Sequence, residues 1–147
     1  MDAALVAAYQ QPSFVKCTLV RFDMAGGAIC LTEGGFVVFD SGEGEGPEIY
    51  LGNHPIYGSL KGLPSIKDGT EAQTTRLDFG ILPPSDIAAS ALAAPSTQGT
   101  RVQWWEGAID PESGSLIGVP DLKFDGEIDK PRFQVGDSWE LTLECGT

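Results

Sequence analysis

The stretch of sequence that decides the fold class is TEAQTTRLDFGI, residues 70–81. In its second half, three apolar residues alternate with three charged or small ones: Leu77, Phe79 and Ile81 against Arg76, Asp78 and Gly80. Alternation with a period of two is typical of a β-strand that buries one face. The stretch therefore predicts a long, half-buried strand in the middle of the chain.

Short strands are predicted on both sides of this stretch, because β-branched and aromatic residues recur in runs that turn-forming residues interrupt. Upstream, residues 15–23 and 28–32 predict a hairpin, and residues 36–40 and 48–51 predict two further strands. Downstream, the runs are 101–110, 116–119, 122–128 and 138–145. Many short strands separated by turns favour a mainly β fold, either a β-barrel or a β-sandwich.

Two short helices are predicted beside the strands. The stretch PPSDIAASALAAP, residues 83–95, has capping residues in front and a proline behind, which indicates one short helix near residues 85–94. Residues 3–10 are rich in helix formers and precede Pro12, which predicts an N-terminal helical arm over residues 1–12. So short a helix would need a packing partner to be stable.

The composition indicates one acidic globular domain. The chain has 147 residues, so residues 1–147 are predicted to form a single β-rich domain. The segment DSGEGEGP, residues 40–47, has no apolar side chain to bury and is predicted to be a mobile loop. A formal net charge of -12 disfavours a nucleic-acid-binding surface. No apolar run approaches the roughly 20 residues of a membrane helix, and the N-terminus lacks a basic leader, so we expect neither a membrane span nor export.

Residues that carry catalysis or bind metals are scarce. The one histidine, His54, has no nucleophile signature around it, so no catalytic triad is predicted. The three cysteines are Cys17, Cys30 and Cys145. They lack CxxC spacing and are interpreted as reduced, buried residues. A carboxylate pair for glycoside hydrolysis, such as Glu106 with Glu127, stays open but is unspecific in so acidic a chain. We therefore predict no enzyme activity, no cofactor and no metal site.

Two adjacent tryptophans lie in the strand predicted at residues 101–110. Because neighbouring residues of a strand point to opposite faces, we expect one of Trp104 and Trp105 in the core and the other on an outer face. A subunit interface is the role that we predict for them. Alternatives are burial within the chain and, together with Trp139, a sugar-stacking platform in a carbohydrate-binding β-sandwich that recognises a receptor.

From residue 50 onward, a series of features follows in a fixed order. It comprises GLPSI (62–66), the alternating strand TTRLDFGI (74–81), the proline-led helix (84–94), GTRVQWWEGAID (99–110), the Gly-centred LKFDGEID (122–129) and WELTLEC (139–145). This order resembles the N-terminal module of tail-tip or baseplate-hub proteins of long-tailed phages and gene transfer agents. The resemblance implies a tail-tube-like β-barrel with one helix, and a structural role in a ring around the DNA channel.

The resemblance also implies partners and a location. The partners would be copies of the chain itself and other tail proteins, namely tail tube, distal tail, fibre or tip proteins. The location would be the tail of the virion, assembled in the host cytoplasm. DNA would pass without specific binding, because carboxylates that face the channel repel it. The acids that we expect at the lumen are Glu43, Glu45 and Glu48.

Overall fold

The computed structural model describes residues 2–10, 15–24, 27–33, 35–44, 46–54, 58–60, 65–68, 75–83, 97–135 and 139–146. One helix, α1 (Ala3–Tyr9), precedes ten strands within these ranges. The strands are β1 (Val15–Met24), β2 (Gly27–Thr32), β3 (Phe36–Phe39), β4 (Glu48–Leu51), β5 (Ser59–Leu60), β6 (Ser65–Asp68), β7 (Thr75–Leu82), β8 (Arg101–Ile109), β9 (Leu116–Val135) and β10 (Trp139–Gly146). The mainly β prediction is confirmed. The helix predicted near residues 85–94 lies outside the described residues.

The strands form one sheet in the order β3-β4-β2-β1-β8-β9-β10-β7-β5, and β6 also pairs with β7. All described pairings are antiparallel except that of β2 with β4. The sheet curls until β5 contacts β2. The hairpin predicted at residues 15–23 and 28–32 is confirmed as β1 and β2, with Leu19 opposite Thr32 and Met24 opposite Gly27.

Both faces of the central strands are buried, so residues 17–22 of β1 are buried without interruption, including the polar Thr18 and Arg21. An inner cluster fills the curl of the sheet and comprises Val20, Phe22, Ile29, Leu31, Ile81, Val102, Trp104, Phe124, Ile128, Leu141, Leu143 and Cys145. An outer cluster lies on the opposite face and comprises Cys17, Leu19, Cys30, Val37, Phe39, Tyr50 and Trp105. Since β3 and β4 supply three of the outer residues, they form a second layer across β1 and β8 and also contact β9.

Strand β9 differs from its prediction. The sequence predicts separate strands at 116–119 and 122–128, whereas β9 continues through 20 residues that include Pro120 and Pro131. Pro120 lies where the register with β8 shifts. Pro131 lies beyond Glu127, the last residue that pairs with β8, so that β10 is its one described neighbour. At both positions the missing proline N–H removes little from the ladder, because bulges and edges tolerate proline.

The N-terminal helix is confirmed, and it packs on its own chain. The Asp2 carboxylate caps it by accepting hydrogen bonds from the backbone N–H groups of Ala4 and Leu5 at 3.1 and 3.3 Å. The same carboxylate accepts a bond from Val119 N–H of β9 at 3.2 Å. Leu5 is fully buried against Ala108 of β8. The packing partner that so short a helix needs is therefore supplied by β8 and β9 of the same chain.

Candidate assembly surface

The loop between β3 and β4 is tied to the sheet by Glu43. Its carboxylate accepts hydrogen bonds from Arg101 Nη1 at 2.7 Å and from Gln103 Nε2 at 3.5 Å. Arg101 also donates two hydrogen bonds to Asp125, at 3.0 and 2.8 Å, and they hold the pKa of Asp125 below its usual range. These contacts anchor the described part of the loop on β8. The mobility expected for residues 40–47 stays a prediction.

Glu48, at the start of β4, forms a partly buried ion pair with Arg21 of β1. Arg21 Nε donates to Glu48 at 2.8 Å and Nη2 donates at 3.4 Å. The Arg21 side chain is 6% exposed and that of Glu48 is 22% exposed. Burial by itself lowers the pKa of Arg21, but the hydrogen bond and charge of Glu48 raise it, and the net shift is upward. The pair fastens the second layer to the sheet beneath it.

Two of the three acids expected at a channel lumen thus form ion pairs within the chain, and their position at a lumen stays a prediction. Glu43 and Glu48 each pair with an arginine of the same chain, which offsets much of the negative potential that a free carboxylate would project. Glu45 lies outside the described residues. Glu43 keeps a side chain that is 33% exposed, whereas Glu48 is chiefly a structural residue.

The two tryptophans do point to opposite faces, and both faces are buried. Trp104 lies in the inner cluster and Trp105 in the outer cluster, at 5% and 6% exposure. The Phe39 ring meets Trp105 edge to face, with 5.2 Å between ring centroids. Since Phe39 of β3 covers Trp105 and the inner cluster encloses Trp104, neither ring offers a surface to a subunit or a sugar. The predicted interface role is therefore replaced by a core role.

The remaining candidates for chemistry are His54 and the three cysteines. His54 forms a β-bridge with Gly58, and burial lowers its pKa. Cys17, Cys30 and Cys145 are buried thiols that form no disulfide, as expected. Burial raises the thiol pKa values of Cys17 and Cys30 to about 11. Within the described ranges, no group of three or more His, Cys, Asp or Glu residues is placed to hold a metal ion. The part of the chain that the structure describes also has no helix long and apolar enough to cross a membrane.

An exposed apolar surface lies on the outer side of the β3–β4 layer. Val38 stands opposite Ile49, and Phe36 stands opposite Leu51. Phe36, Val38 and Ile49 are 67%, 51% and 59% exposed, while Leu51 is partly buried. These four residues define the hairpin surface. The other face of the same strands is buried in the outer cluster, so the layer is apolar on both sides. An antiparallel sheet with one solvated face normally alternates apolar and polar residues instead.

Strand β3 is also an edge. Among the described strands it pairs with β4 alone, so its second row of backbone N–H and C=O groups has no strand partner within the described ranges. Natural edge strands are usually protected by short length, charges, prolines or bulges. At four residues β3 is short, but its FVVF sequence has no charge, proline or bulge. An apolar face that borders an unprotected edge is the pattern expected of a surface covered by another chain.

The hairpin surface was not among the residues predicted from the sequence. Its signal is present in FVVF, where four consecutive apolar residues replace the alternation of a strand with one wet face. Such a run also fits a strand buried on both faces within one chain. Only the position of β3 at the edge of the sheet distinguishes the two.

Comparisons with known proteins add no family to these observations. Neither the protein-family models nor the curated proteins contain a match to this chain.

Proposed function

We propose that this chain is a structural subunit that works by assembly with other chains, and that its assembly is the tail tip or baseplate hub of a phage. The observation that carries the assembly role is the hairpin surface at an unprotected sheet edge. Edge strands of this kind pair readily with strands from other chains. The tail position rests on the order of features between residues 50 and 147 that resembles the tail-hub module.

A ring around a DNA channel agrees with the charge of the chain. A net charge of -12 keeps DNA from adhering to a wall built of such subunits. Since Glu43 and Glu48 are paired with arginines, the repulsion would come from the summed acidic charge of each subunit rather than from those two residues. The fold supplies the rigid part of the wall, because two clusters bury both faces of the central strands.

Assembly is tested with two variants that change the charge equally. Val38→Lys places a cation on the hairpin surface, whereas Gln98→Lys places one in the exposed turn before β8, which contributes none of the four residues of that surface. Each protein is followed by light scattering, negative-stain microscopy and detection in purified tail particles. We expect the unaltered chain and Gln98→Lys to enter particles or rings, and Val38→Lys to remain free. A folded, monomeric unaltered chain that is absent from particles would refute the proposed function.

A further inference from the structure

We infer that the hairpin surface takes an extended, apolar strand flanked by basic residues from a different protein, added to the edge of β3. This inference rests on the assembly role proposed for the same surface and names the chemistry of the partner. It uses three features: the open edge of β3, the apolar residues beside it, and the charge of the surrounding segment.

The open edge of β3 requires a partner with an extended backbone. A strand added beside β3 satisfies the outer row of N–H and C=O groups and continues the pleat of the β3–β4 pair. Its residues that align with Phe36 and Val38 must face outward with them, because residues directly opposite each other share one face. Apolar side chains at alternate positions of the partner would therefore extend the hairpin surface by one strand and shield Phe36 and Val38 from water.

The acidic charge of the surrounding segment favours basic residues at both ends of the partner strand. Residues 22–60 contain no lysine and no arginine, and they carry six acidic residues: Asp23, Glu33, Asp40, Glu43, Glu45 and Glu48. Glu43 and Glu48 are offset by arginines from elsewhere in the fold. Asp40 directly follows β3 and Glu33 lies three residues before it, and both residues are exposed. The Glu33 carboxylate also accepts a hydrogen bond from the Thr18 hydroxyl of β1. The approach to β3 is therefore electronegative at both ends of the strand.

A second copy of this chain fits that environment poorly. Antiparallel pairing of two β3 strands would place two acidic segments next to each other, neither of which contains a Lys or Arg. Their separation would be less than one Debye length, about 8–10 Å, so salt would screen the repulsion only in part. A basic partner gains attraction from the same acids, and complementary charge raises both the rate of encounter and the selection of partner.

The test uses synthetic peptides as the probe. One peptide has three valines alternating with threonines and a pair of lysines at each end, and its match carries glutamates instead of lysines. A third peptide keeps the lysines but has proline in place of the central valine. Binding of each labelled peptide to the full chain is measured by fluorescence anisotropy at low and high salt. The proteins are the unaltered chain, Val38→Lys, Gln98→Lys and the rim variant Glu33→Gln with Asp40→Asn.

We expect the lysine peptide to bind at least about tenfold more tightly than the glutamate peptide at low salt, with the preference shrinking as salt rises. The proline peptide and Val38→Lys should lose binding, Gln98→Lys should keep it, and the rim variant should lose mainly the preference for lysine. Equal binding of the lysine and glutamate peptides would overturn the basic chemistry while leaving the assembly role standing.

Two further outcomes separate this inference from the proposed function. If no peptide binds, but the chain self-associates with rising concentration and Val38→Lys abolishes the association, the occupant is a second copy and the inference fails while assembly stands. If no peptide binds and Val38→Lys enters tail particles normally, assembly uses another surface and the inference fails. If the unaltered chain neither binds peptide nor enters particles, both fail.

Discussion

Replacing Glu48 with glutamine is expected to destabilise the fold through Arg21. The change removes the carboxylate that accepts two hydrogen bonds from a guanidinium with 6% exposure. Leaving a buried charge without its partner costs roughly 3–5 kcal/mol. Two features reduce that cost here: the Glu48 side chain is 22% exposed, and Asp23 lies 3.7 Å from Arg21 Nη1. We therefore expect a loss of about 2 kcal/mol in the free energy of unfolding.

Urea denaturation measures this loss. With a slope of about 2 kcal/mol per molar urea, the midpoint should fall by about 1 M at an unchanged slope. Asp125→Asn is the matched control, because Arg101 also donates two hydrogen bonds to Asp125 but both side chains are more than a third exposed. An exposed pair contributes about 0–1 kcal/mol, so the control should shift the midpoint by less than half as much.

A double variant checks the reasoning itself. Arg21→Met with Glu48→Met removes both charges and leaves apolar side chains of similar length. It should be more stable than Glu48→Gln alone, because no buried charge is left without a partner. If Glu48→Gln costs no more than Asp125→Asn, or if the double variant is the least stable of the three, burial does not govern the strength of this pair.

Three further predictions follow from other parts of the fold. Gly58→Ala should lower the free energy of unfolding by about 2–3 kcal/mol, because a Cβ at φ +88° would clash with the Leu82 carbonyl oxygen. The control Gly99→Ala, at φ +83° in open space, should cost only the backbone strain of about 1 kcal/mol. Equal urea midpoints for the two variants would contradict this prediction. Asp2→Ala should cost about 1 kcal/mol and speed amide hydrogen exchange in α1, since it removes the cap; unchanged exchange would argue against the cap. The thiols of Cys17 and Cys30 should resist labelling near pH 8 in the folded protein and react after unfolding. The folded-state pKa of each thiol, about 11, exceeds the ordinary value of 9.0. The stability that the buried neutral thiols contribute is therefore complete below pH 9 and is lost between about pH 9 and 11. Rapid labelling of the folded protein would show instead that the thiols are accessible.

Local sequence patterns predicted most of the strands correctly. The wrong predictions concern features that depend on contacts between residues far apart in the sequence. Alternation in TTRLDFGI placed β7, and the Gly-rich turn at residues 26–27 placed the β1–β2 hairpin, because both signals lie within a few residues of the element they specify. The continuity of β9 could not be predicted in this way. Pro120 and Pro131 read as strand breakers until the register with β8 and β10 shows that each occupies a bulge or an edge.

The candidate site was less accessible to sequence reasoning, because pairing partners lie far apart in the chain. Glu48 is 27 residues from Arg21, and Glu43 is 58 residues from Arg101. A sequence shows that these acids are numerous and says nothing of which ones meet a cation. The interface role expected of Trp105 failed for the same reason, since Phe39 covers its ring from a different part of the chain.

By itself, then, the sequence determined the mainly β class, the N-terminal helix, the burial of the cysteines and the acidic charge, because each depends on composition or on a period within one short segment. Tertiary structure alone decided which face of each strand is covered. It placed both tryptophans in the core, paired Glu43 and Glu48 with arginines, and left Phe36 and Val38 at an open edge. Those outcomes depend on how the sheet curls and on which strand comes last in it, and curl and strand order are properties of the whole sheet rather than of any stretch within it.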